Sequence, residues 1–180
     1  MNITFHSFAA FATGTALAAR MPERSGANPA SRSERSPGLL RDLPWLAAGL
    51  VGNVLLHGAM DLSPHSYPIP WRLDILGGIM LIAVVMARVQ PRYRLVFAAV
   101  FLGELLPDLV DQGPGLLNQL LGLHLPEREY FGFHSLRHAV AAALGHEVLL
   151  SVLSHLVVLA GCALLLVGAR RRIPSLFRRR

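Results

Sequence analysis

Three pairs of residues in this sequence share one spacing. His57 and Asp61, Glu104 and Asp108, and His134 and His138 each stand four apart, so on a helix each pair lies on one face, a turn apart. Imidazole and carboxylate pairs of this kind let neighbouring helices present two ligands each to one cation. Carboxylate oxygens mixed with imidazoles suit a divalent Zn, Mn or Fe better than Ca. The single Cys162 lies in an apolar run and offers no thiolate cluster for a softer ion. His6, His65 and His146 are further candidate ligands, each close to the expected end of an apolar segment.

Each of these residues also has a plainer reading. His57 and Asp61 could be a hydrogen-bonded pair at a helix end, and Asp108 could cap the next helix. Asp111, in "DQGPG", reads as a turn residue. His155 reads as a buried histidine bonded back to Ser151, and His124, Glu127, Arg128 and Glu129 as solvated loop. Glu104 is harder to dismiss. It interrupts "FLGELLPDLV", and a charge inside a membrane span costs about 2.5–3.5 kcal/mol unless it is partnered. Its plainer partner would be Arg137 or a histidine.

The elements that must position these groups are apolar. Of 180 residues, 53% are hydrophobic and only 16% charged, with a mean hydropathy of +0.45; soluble domains carry about 25% charge. Five apolar runs, Ile3–Ala19, Pro44–Met60, Leu73–Ala87, Leu95–Leu109 and Val148–Ala169, predict an all-α, polytopic membrane bundle. Several are short against the ~20 residues of a spanning helix, which tilt or flanking turns would make up. The first run lacks a basic leading segment and reads as a retained helix rather than a signal peptide.

Every basic residue apart from histidine is arginine, 17 in all. With the N-terminus outside, the 20–42 segment, the 88–94 turn and the 170–180 tail fall on the cytoplasmic side and carry fourteen of them. That asymmetry predicts a multi-pass protein of the inner (plasma) membrane with its C-terminus inside. The arginines have no accompanying aromatic face, so orientation and anionic lipid explain them and nucleic acid does not. Residues 20–42, rich in Ser, Pro and Gly, read as a flexible cytoplasmic linker; residues 112–133 read as an outer loop; the whole is one membrane domain. A single helix from His134 to Ala169 would run about 54 Å, so a break near Gly145 is expected. On this topology the acids and most of the histidines collect on the outer face.

The stretches "FHSFAAFATGTALA", "HGAMDLSPH", "GELLPD" and "FHSLRH" together resemble a bacterial family of inner-membrane proteins described as membrane-bound metal-dependent hydrolases. The resemblance covers most of the chain outside the 20–42 segment and the tail. It implies metal ligands at His57, Asp61, Asp108, His134 and His138. Asp111 is not carried over, because it lacks the adjoining histidine of the family's LPD-x-DH pattern. The expectation is a hydrolase with a divalent-metal site at the outer membrane face, acting on an ester or phosphoester of a lipid-like or envelope substrate. Asp108 would be ligand or base, and Glu104 base or orienting group. The rivals are a metal or proton conductor, a bis-histidine haem protein pairing His57 with His138 or His146, and a structural partner subunit.

Overall fold

The computed structural model describes residues 3–22, 38–62, 70–134, 136 and 147–177. They are helical, with no strand among them beyond one isolated bridge between Val89 and Phe177. Five long helices lie where the apolar runs fall: α1 (Ile3–Arg20), α2 (Gly38–Asp61), α3 (Trp71–Arg88), α4 (Arg94–Asp111) and α6 (Glu147–Ala169). Between them stand a 3-10 turn at Pro91–Tyr93 and a short α5 (Gly113–Leu121); α7 (Ile173–Leu176) closes the described chain. Two stretches are long and apolar enough to cross a membrane, Leu40–Asp61 in α2 and Val148–Ala169 in α6. Their side chains are largely bare, with Val51 and Leu55 of α2 and Val148, Val157 and Leu164 of α6 all exposed.

The alanine-rich α1 is the hub. Its small side chains let α2, α3, α4 and α6 all approach it, while α2 packs on α4 from the other side. α2 and α4 pack tightly at Gly103, where any Cβ would collide with the Leu50 carbonyl oxygen. Glycine there brings together the two helices that carry His57–Asp61 and Glu104–Asp108. Pro107 lies buried inside α4 without ending it; it lacks the N–H that would bond back to Gly103.

A second device sets the height of α1. The buried carboxylate of Asp74, from α3, accepts the Ile3 N–H at 2.6 Å and the Thr4 N–H at 3.1 Å. Thr4 Oγ1 in turn donates to the Asp74 carbonyl at 2.8 Å. An aspartate on these two orphan donors is an N-cap supplied in trans, with its charge on the favourable end of the helix dipole. It holds His6, less than one turn further on, level with the ends of α2 and α4.

At the opposite end of the bundle the C-terminus of α1, the α3–α4 turn and the tail meet. Met21, Val89, Tyr93, Phe97 and Leu176 form one buried cluster there. Gln90 N–H donates to the Leu176 carbonyl at 2.9 Å, and an Arg92 guanidinium N–H donates to the Pro22 carbonyl at 3.0 Å. Arg20, Arg88, Arg92, Arg94 and Arg170–Arg172 all belong to these segments.

Two expectations meet a more ordered chain. Residues 113–121, expected in an outer loop, form α5, which ends on Gly122 in the left-handed region at φ 65°. The loop after it is pinned by Asn118, which accepts the Leu125 N–H at 2.8 Å and donates to the Leu125 carbonyl and Glu127 Oε1, both at 2.9 Å. The 20–42 segment is helical at both ends, since α1 reaches Arg20 and α2 begins at Gly38. The expected break near Gly145 lies outside the described residues.

Candidate metal centre

The ends of α1, α2 and α4 and the start of the segment at Phe133 enclose seven ionisable side chains. His6, His57, Asp61, Glu104, Asp108, Asp111 and His134 are each at most 8% exposed. Glu104, Asp108 and Asp111 occupy positions i, i+4 and i+7 of α4, a single stripe on which Glu104 meets α1, Asp108 lies toward α2 and His134, and Asp111 meets the 130–134 segment. His57 and Asp61 make the matching pair at the end of α2. Gly58, between them, leaves room for the Phe133 ring, which a Cβ would approach to 2.8 Å; this lets His134, next along, reach the same place.

One atom of each of His57, Asp61, Asp108 and His134 lies within 4.8 Å of those of the other three. Asp61 Oδ2 is 2.9 Å from His134 Nε2 and 3.4 Å from His57 Nε2. Asp108 Oδ1 is 3.5 Å from His134 Nε2 and 3.9 Å from His57 Nε2. With bonds of about 2.0–2.2 Å, neighbouring ligands of one ion stand about 2.9–3.5 Å apart. Three of the four separations fall in that interval, and the fourth needs only a small shift of His57.

Hydrogen bonding argues the same way. Seven buried side-chain polar atoms among the described residues have no hydrogen-bond partner, and five of them are here: His57 Nδ1 and Nε2, Glu104 Oε2, Asp108 Oδ2 and His134 Nε2. His134 Nε2 lies close to Asp61 without the alignment of a hydrogen bond. Leaving one such atom bare costs about 1–3 kcal/mol, more when it is charged. Five together, on imidazoles and carboxylates, are the donor set that a cation satisfies. These buried His and Asp groups could hold a metal ion, and their mixture of nitrogen and oxygen fits a divalent transition metal.

Around this set are groups that orient it. Asp111 Oδ2 accepts from His134 Nδ1 at 2.7 Å, and Asp111 is itself fixed by the N–H groups of Tyr130 at 2.8 Å and Phe131 at 3.0 Å. Gln112 Nε2 donates to Asp108 Oδ1 at 2.6 Å. His6 Nδ1 pairs with Glu104 Oε1 at 2.8 Å, its Nε2 lies 3.3 Å from Asp61 Oδ1, and its ring stacks on His57 at 4.2 Å. A carboxylate on the far nitrogen of a ligating histidine fixes its tautomer and makes it a better ligand. The Asp108 carboxylate raises the pKa of His134 above its ordinary value; burial opposes this, and Asp111 and Asp61 reinforce it.

The structure therefore brings His6, His57, Asp61, Glu104, Asp108 and His134 together. His65, His138 and His146 lie outside the described residues. Asp108 sits within α4 and makes no helix cap. The partner of Glu104 is a histidine, His6. His155 Nδ1 meets the Ser151 carbonyl at 2.6 Å, the bond expected for a packed histidine. His124, Glu127, Arg128 and Glu129 are exposed. Asp111 corrects the turn reading: it is buried and positions His134. Its signal was the i+7 place on the stripe begun by Glu104, masked by the turn-like "DQGPG". Gln112 carried no signal.

No protein-family model, curated protein or solved structure matches this chain.

Proposed function

We propose that the chain is a multi-pass inner-membrane metal-dependent hydrolase. In this reading α1, α2, α3, α4 and α6 all span, the N-terminus is outside, and the metal centre lies at the outer face. The observation that carries it is the group of five buried, bare ligand atoms at one end of a bundle whose arginines gather at the other. Such an arrangement matches the charge bias that orients membrane helices. A divalent cation there supplies a water of lowered pKa and polarises an ester or phosphoryl oxygen. His57, Asp61, Asp108 and His134 hold it, Asp111 and Gln112 position two of those ligands, and Glu104, on His6, is the base or orienting group. The resemblance to membrane-bound metal-dependent hydrolases supports the same assignment.

The substrate reading rests on a cavity of about 320 Å³ between α1, α2 and α6. Phe5, Leu56, Met60, Val157 and Val158 line it, and His6 forms part of its wall. An apolar chamber beside a polar centre, flanked by the two helices long and apolar enough to cross a membrane, suits a lipid-like ester or phosphoester whose chain enters from the bilayer. The haem alternative pairs His57 with His138 or His146, both of which lie outside the described residues.

The test is turnover by detergent-purified protein of a panel of long-chain and short-chain carboxyl and phosphate esters. Hydrolysis abolished by chelation, restored by Zn, Mn or Fe and absent in Asp61→Asn supports the proposal. Activity that survives chelation contradicts it.

A further inference from the structure

The four-ligand group leaves part of the cluster unexplained. One ion held by His57, Asp61, Asp108 and His134 satisfies the bare atom of His134 and one nitrogen of His57, and engages the Asp108 carboxylate. It leaves the other His57 nitrogen and Glu104 Oε2 without a partner. Glu104 is fully buried within an apolar helix, and its other oxygen is already taken by His6. A carboxylate oxygen left bare there is expensive.

The bare atoms belong to a second group. His6, His57 and Glu104 each offer a ligand atom within 4.8 Å of the other two. His6 Nδ1 already meets Glu104 Oε1 at 2.8 Å, so the imidazole and the carboxylate that carries the bare Oε2 stand side by side. Asp61 lies alongside, with Oδ1 3.3 Å from His6 and Oδ2 3.4 Å from His57.

We propose that His6, His57 and Glu104 form a second divalent-cation position, so that the centre is built for two ions with His57 between them. Two imidazoles and a carboxylate select the same Zn, Mn or Fe class as the first group. The inference rests on the metal-centre reading above and adds a second ion to it.

Stripped wild-type protein in detergent is reloaded with Mn²⁺, bound Mn is counted by mass spectrometry, and the spin-resonance spectrum is recorded. Two Mn per chain with a spin-coupled signal are expected. Glu104→Gln and His6→Gln, checked for folding by circular dichroism, are expected to keep one Mn with an uncoupled six-line signal. One Mn per chain in folded wild type overturns the second position, whether or not the variants fold, and leaves the first intact. Two Mn in wild type and in both folded variants overturns its assignment to these residues. No Mn in folded wild type overturns both readings together.

Discussion

Asp111 holds the Nδ1 side of His134 at 2.7 Å while Nε2 of the same ring lies 2.9 Å from Asp61. A residue at the end of α4 thus sets the direction in which a residue more than twenty positions later addresses α2. Because Asp111 also binds the Tyr130 and Phe131 N–H groups, it fixes the backbone and the ring together.

Asp111→Asn should therefore weaken metal binding without removing a ligand. Loss of an orienting carboxylate typically lowers affinity about 10–100-fold. Competition against a chromogenic chelator measures this, and an unchanged affinity would count against the orienting role.

Asp74→Ala removes the cap that α1 receives from α3. A lost N-cap costs about 0.5–2 kcal/mol, and two backbone donors are freed here, so the upper part of that range is expected. Thermal unfolding in detergent reports it. Metal affinity should fall as well, because His6 depends on the height of α1.

Gly103→Ala forces a methyl group against the Leu50 carbonyl and pushes α2 from α4. Overpacking of this kind costs about 1–3 kcal/mol, and it separates the helices bearing His57, Asp61, Glu104 and Asp108. Gly52→Ala is the control, since nothing lies within 4 Å of its added carbon. Melting temperature and metal content should drop in the first variant and hold in the second.

The proposed orientation has its own test. With Cys162 replaced by alanine, Glu129→Cys should react with an impermeant thiol reagent applied outside, and Ser175→Cys only after permeabilisation. The reverse labelling pattern would mean that the metal centre faces the cytoplasm.

Much of the fold was legible because apolar runs become helices whatever they pack against. The five long helices of the described chain sit on the five runs, with ends moved by a few residues. The His57–Asp61 and Glu104–Asp108 pairs were legible for a related reason, since a spacing of four is a property of the helix itself. What joins them across helices was not. The His6–Glu104 bond and the cap by Asp74 depend on how α1 stands against its neighbours, which no local pattern encodes. Asp111 and α5 were hidden by composition, because Gly113, Pro114 and Gly115 suit both a turn and the first turn of a helix.

Everything proposed for the site depends on a divalent metal held by His57, Asp61, Asp108 and His134. Its most direct test is the metal content of purified, folded protein beside that of His57→Ala and Asp61→Ala. Stoichiometric Zn, Mn or Fe is expected in the wild type, and its loss from both variants. Folded wild-type protein that binds no such metal, even when it is supplied in excess, would contradict it.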